Sequence, residues 1–155
     1  MAKKTAIQKL NVDKQTHTVS PIPEGFPGWK DASSMVVSTP LEVDSIVRKV
    51  PEGRLVTLTE IRAYLAQQYG TDIACPVSTA IYLNIVAAAA EEMREQGESH
   101  IAPYWRVLKP DGKLNEKYPG GVEAQKAKLE AEGYTLVALK SGYRVQDYQE
   151  FLAAL

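Results

Sequence analysis

Residues 76–90 run for fifteen positions without a single charged side chain. Val77, Ile81, Ile85 and Ala88 make one stripe at helical spacing, and Tyr82, Leu83 and Val86 occupy the opposite side. A helix that is apolar nearly all round belongs in the middle of a fold, with other elements packed about it. Pro76 suits its first turn, and Glu91, Glu92, Arg94 and Glu95 mark its solvated end, near residue 95 or 96. With 155 residues the chain can build one domain around such a helix. The run contains Asn84 and is too short to span a bilayer, so no membrane segment is expected.

The elements before the central helix are signalled locally. Residues 1–40 hold Pro21, Pro23, Pro27 and Pro40 with Gly25 and Gly28 among them, and no helical or strand period lasts. They read as an extended arm wrapping a domain of residues 41–155, pinned by Phe26 and Trp29. Residues 41–50 place Val43, Ile46, Val47 and Val50 at helical spacing, ended by Pro51-Glu52-Gly53. Thr57-Leu58-Thr59-Glu60 is a capping box, in which Glu60 reaches back to the Thr57 amide. The helix it opens carries Ile61, Tyr64 and Leu65 on one face and stops at Gly70.

After the central helix the pattern shortens. Residues 105–109 read as a strand, Lys109-Pro110-Asp111-Gly112 as a turn, and Lys113-Leu114 as the return of a small hairpin. A helix over residues 122–132 is stopped by Gly133. Residues 134–140 and 143–145 form a second hairpin around Ser141-Gly142, and residues 147–155 a terminal amphipathic helix. Two helices joined by a short turn and followed by a hairpin outline a winged helix-turn-helix. The fold class is thus mainly α with small β hairpins.

Composition removes several function classes. The chain is 45% hydrophobic and 24% charged with a net charge of −1, so no global basic surface advertises nucleic acid. Local excess exists: Lys3, Lys4, Lys9 and Lys14 stand against Asp13 in the first fourteen residues, and residues 101–144 carry eight Lys/Arg against five Asp/Glu. Cys75 is the one cysteine, and His17 and His100 are the two histidines, so neither a disulfide nor a zinc site is expected, and no cofactor. The start lacks an apolar secretory core, which favours a cytoplasmic protein.

Four segments, in order and at comparable spacing, are similar to the C-terminal domain of the O6-alkylguanine-DNA alkyltransferases and their alkyltransferase-like relatives. Pro51-Glu52-Gly53-Arg54-Leu55-Val56-Thr57 resembles the family's Pro-x-Gly-x-Val-x-Thr, and Cys75-Pro76 stands where its recognition helix opens with Asn-Pro. Pro103-Tyr104-Trp105-Arg106-Val107 resembles the active-site Pro-Cys-His-Arg-Val. Tyr118-Pro119-Gly120-Gly121 and Leu129-Glu130-Ala131-Glu132-Gly133 resemble the Tyr-Ser-Gly-Gly and Leu-x-x-Glu-Gly endings. The resemblance implies a winged helix-turn-helix of the alkyltransferase C-terminal type and DNA, alkylated or distorted, as partner. A repair protein is a further implied partner.

The departures bear on chemistry. In the family a Cys thiolate, activated by His and then Glu, takes the alkyl group from guanine. Here those positions are Tyr104, Trp105 and Glu132, so no catalytic set is expected. The intercalating Arg of the family aligns with Ala80, and a Tyr that helps rotate a phosphate aligns with Leu58. The resemblance makes Pro103, Tyr104, Trp105, Arg106, Tyr118, Gly120 and Gly121 the pocket residues. Contacts to DNA then fall to Thr57, Leu58, Cys75, Pro76, Ser78, Thr79, Ala80, Lys109 and Lys113. Tyr104 and Trp105 either stack a flipped base or fill the vacated pocket. Glu132 is either paired with Arg106 or Tyr104 or solvated. Two other readings stand beside DNA binding: a winged-helix module for a protein partner, and an enzyme whose chemistry has moved to Cys75.

Overall fold

The central helix organises the fold. In the computed structural model, which describes residues 4–24 and 32–155, it is α4 (Pro76–Glu95). Tyr82, Leu83, Val86, Ala87, Ala89 and Ala90 are buried, and helices α1 (Ala6–Leu10) and α2 (Pro40–Arg48) lie against it. It is not buried all round: Val77 and Ile81 are 56% and 52% exposed. That stripe, expected to be buried, therefore faces outward at the start of the helix, where no element among the described residues covers its first two turns.

Helix α2 delivers Val43, Ile46 and Val47 to the core, and Val50 follows just past its end. It starts one residue earlier than its apolar spacing suggests: the Thr39 hydroxyl caps it by accepting from the Glu42 amide at 3.2 Å, and Pro40 fills the first turn. Helix α3 (Leu58–Tyr69) begins at the expected capping box. The Thr57 amide donates to Glu60 Oε1 at 2.8 Å, and Gly70 ends the helix at φ 65°.

The arm holds more regular structure than its prolines suggest. Besides α1 it forms strands β1 (His17–Val19) and β2 (Met35–Val37), paired antiparallel, and β4 (Ile73–Ala74) joins β2 in parallel. Helix α1 is held to α4 by one carboxylate, since Glu92 accepts from the Ala6 and Ile7 amides, each at 2.9 Å. The expected anchors Phe26 and Trp29 lie outside the described residues.

Residues 105–109 are not one strand. Residues Tyr104–Arg106 form a single 3-10 turn, and only β5 (Val107–Leu108) is extended, paired in parallel with β3 (Val56–Thr57). A strand would send Trp105 and Arg106 to opposite faces; the turn lets both reach the same carboxylate, described below. The 109–113 turn forms as expected, with the Gly112 amide donating to the Lys109 carbonyl at 2.9 Å. Its return does not continue alongside β5. Leu114 donates to the Tyr143 carbonyl at 3.0 Å, and Lys113 bridges Arg144.

Helix α5 (Gly121–Ala131) and the antiparallel pair β6 (Leu136–Ala138) and β7 (Tyr143–Val145) follow the sequence pattern. The expected helix over residues 147–155 is absent. A 3-10 turn, Tyr148–Phe151, leads into extended chain, where Leu55 donates to the Phe151 carbonyl and Ala153 donates to that of Leu55, both at 2.8 Å. Leu55 is wholly buried, so its backbone groups need partners that only an extended neighbour supplies.

Two apolar clusters result among the described residues. One gathers around α4. The other holds Leu55, Leu108, Leu114, Leu129, Tyr134 and Val145, and Trp105 packs against both. Among the described residues no helix is long and apolar enough to cross a membrane, and no His/Cys/Asp/Glu group is arranged to hold a metal ion.

Candidate functional site

Tyr104 is 1% exposed, the most deeply buried aromatic side chain of the described residues. Its ring is held edge-on between Trp105, at 5.4 Å and 81°, and Tyr118, at 5.1 Å and 78°. Its hydroxyl lies beside the Glu91 carboxylate without closing a well-formed hydrogen bond to it. Burial, and then the Glu91 charge, push the phenol pKa far above its ordinary value. Tyr104 is thus a neutral core residue at physiological pH.

Glu132, at the end of α5, collects the next two residues of the motif. Arg106 Nε donates to Oε1 at 2.9 Å and Nη2 to Oε2 at 3.0 Å, while Trp105 Nε1 donates to Oε2 at 2.7 Å. The third guanidinium nitrogen, Nη1, donates to the Val50 carbonyl at 2.9 Å. The Arg106 and Glu132 side chains are 13% and 12% exposed, which makes this a sheltered, forked ion pair. Arg106 therefore ties α5 to the end of α2, and Trp105 occupies the carboxylate that the resemblance assigns to an imidazole.

Tyr118 is buried and donates to the Val107 carbonyl at 2.9 Å, with its pKa raised by burial. Gly120 and Gly121 have φ of 81° and 70°, and a Cβ on Gly120 would meet that of Ala124 at 2.5 Å. Sequence reasoning missed Gln125. It is 1% exposed, donates to the Trp105 carbonyl at 3.0 Å and accepts from the Asn115 amide at 2.8 Å. Nothing in its local sequence separates it from a solvated residue of α5.

Pro103, Tyr104, Trp105, Arg106 and Tyr118 thus meet as a filled region. The open cleft lies beside it. It measures about 300 Å³ and is lined by Leu58, Ala80, Leu83, Asn84, Leu108 and Lys109, then by Pro110, Asn115, Glu116 and Lys117. Of the residues expected to contact DNA, Leu58, Ala80 and Lys109 line this cleft, and Lys113 lines the next depression with Lys109. Thr57 and Thr79 are buried: the first caps α3, and the second donates to the Cys75 carbonyl at 2.6 Å. Cys75 is buried as well, while Pro76 and Ser78 are half-buried. Asn84 accepts from Asn115 at 3.2 Å across the cleft, and Lys109 pairs with Glu116 at 2.6 Å on its rim.

This arrangement can be compared with known structures. A crystal structure of S. pombe Atl1 in complex with damaged DNA containing O6-carboxymethylguanine matches with a TM-score of 0.52, covering 75% of this chain and 94% of that one. The fold is the alkyltransferase-like one. A second structure, of S. pombe ATL in complex with DNA, matches over the same shares with a TM-score of 0.54. Sequence identity is 20% in both comparisons, so the likeness is one of fold. No family model matches the sequence, and neither does any curated protein.

Proposed function

We propose that the protein recognises alkylated or otherwise distorted duplex DNA and holds a displaced nucleotide in the cleft beside α4, without removing its alkyl group. The cleft carries this reading. It is large enough for a nucleobase with its substituent, and Ala80, Leu83 and Asn84 of α4 form one of its walls. Its apolar wall suits an alkyl group, and Asn84 and Asn115 offer amide groups to a base edge. The solved proteins of like fold are bound to DNA, one of them to a damaged duplex. On this reading α3 and α4 are the helix-turn-helix, the 109–113 turn is the wing, and the protein works in the cytoplasm.

Chemistry at the motif is disfavoured by its residues. A buried neutral phenol and an indole already bound to Glu132 offer no nucleophile and no base. The thiol of Cys75 is buried and is not part of the cleft wall. The test is titration of the protein with a duplex carrying O6-methylguanine and with its unmodified counterpart, followed by intact-protein mass spectrometry. Tighter binding to the lesion with no added mass is expected. Equal affinity for both duplexes, or a gain of one methyl, contradicts it.

A further inference from the structure

A groove between α2 and α3 has no part in the DNA reading. It measures about 270 Å³, and its floor is the buried pair Ile46 and Leu65. Each end joins a charge to a tyrosine. At one end the Glu42 carboxylate accepts from the Tyr69 hydroxyl and from that of Thr16. At the other the Lys49 ammonium donates to the Tyr64 hydroxyl at 2.7 Å and lies 4.7 Å from the centre of its ring. Among the described residues neither charge is met by an ion of opposite sign. Ser45 and Gln68, both exposed, line the space between the ends. Tyr69 is 41% exposed, and Leu41, one turn before Ser45, is 46% exposed, so apolar surface continues past the acidic end.

The spacing of the charges narrows what the groove can hold. Seven residues separate Glu42 from Lys49, about 10 Å at the usual helical rise. A polyproline II segment turns once in about three residues and brings a side chain back to the same face after about 9 Å. A cation and an anion three residues apart on such a segment therefore meet Glu42 and Lys49 together. One of the residues between them is left to rest on Ile46 and Leu65, and Ser45 and Gln68 can serve its backbone. Grooves bordered by aromatic rings suit prolyl residues, and a segment already extended loses little entropy on docking. A nucleic acid strand fits poorly, since a carboxylate closes one end and Lys49 is the sole cation of the lining.

We propose that this groove docks a proline-rich segment of a protein partner in the polyproline II conformation. The segment places an Arg or Lys at Glu42 and, three residues away, an Asp or Glu at Lys49. The groove uses α3 from Tyr64 onward, whereas the DNA cleft uses Leu58 at its start, so the inference stands apart from the DNA reading.

The experiment uses the whole chain and fluorescein-labelled peptides. Pro-Arg-Pro-Leu-Glu-Pro has its charges three residues apart, and Pro-Pro-Arg-Glu-Leu-Pro has the same composition with the charges adjacent. Fluorescence anisotropy should show the first binding at least about tenfold more tightly than the second, because only the first meets both ends of the groove. Lys49→Glu should weaken the first peptide by about tenfold and bind Pro-Arg-Pro-Leu-Arg-Pro more tightly than the parent protein does, a gain that misfolding cannot produce. A duplex carrying O6-methylguanine should not displace the bound peptide. Equal affinity for the two arrangements, or no gain in Lys49→Glu, overturns the proposal. Absence of binding to the first peptide at millimolar concentration overturns it as well. Displacement by the duplex overturns it in favour of a nucleic-acid surface.

Discussion

Glu132 ends a helix, where an anion is disfavoured unless it is bonded. It is bonded three times over, to both donors of the Arg106 fork and to the Trp105 indole. That settles one of the two readings open from the sequence, and it explains why Trp105 lies inward, against both apolar clusters. Its neighbour Tyr104 has no such polar role. The ring is wedged between two others, and its hydroxyl lacks a good partner. Tyr104→Ala should therefore cost about 3–5 kcal/mol in a denaturant titration, the range for deleting a buried aromatic ring. Tyr104→Phe should cost little, because the hydroxyl it removes is poorly satisfied. A stable Tyr104→Ala variant would mean that the ring does not anchor the cluster around α4.

At the scale of elements, what could be read was what local chemistry determines. The capping box at Thr57, the glycine stop at Gly70 and the proline start of α4 all form as their residues require. The 3-10 turn at Tyr104 and the extended chain at Leu152 were illegible, because each answers to a distant partner: Glu132 in the first case and Leu55 in the second. The strands of the arm were hidden for the same reason, since β2 exists through its pairing with β1 and β4. Asp72 helps hold that pairing. Hydrogen bonds from the backbone and hydroxyl of Ser33, then from the Ser34 amide, keep its pKa below the ordinary 3.8. The native state therefore holds the charged form more strongly than the unfolded chain does, and this contribution is complete above 3.8 and disappears as pH falls through the lower native value. The protection factor of the Ile73 amide, which donates to the Ser34 carbonyl, should fall in strong acid, and Asp72→Asn should show the lower protection already at neutral pH. The same protection in both proteins at neutral pH would remove Asp72 from this role.

Over the whole molecule the cationic side chains are divided. Lys109 and Lys117 border the cleft, whereas α1 is clasped at Glu92, about 18 Å along α4 from Ala80 at the usual rise per residue. The arm's Lys4 and Lys9 thus belong to the far end of the helix, and Lys14 lies over the Tyr82 ring at 5.0 Å. On the DNA reading proposed above, affinity should fall with salt, and Lys117→Ala should lower the slope of log affinity against log salt by about 1, whereas Lys9→Ala should leave it unchanged. Equal slopes for the two variants would place the phosphate path elsewhere. The packing at Tyr104 also bears on whether such a protein could ever turn into a repair enzyme. A thiol introduced at position 104 would lie in a ring-sized void, shut off from the cleft, and an imidazole at 105 would first have to break the indole bond to Glu132. Each change alone loosens the fold, and neither alone brings reactivity. Either substitution made singly would meet that cost first, so the packed core itself opposes a return to repair chemistry at this motif.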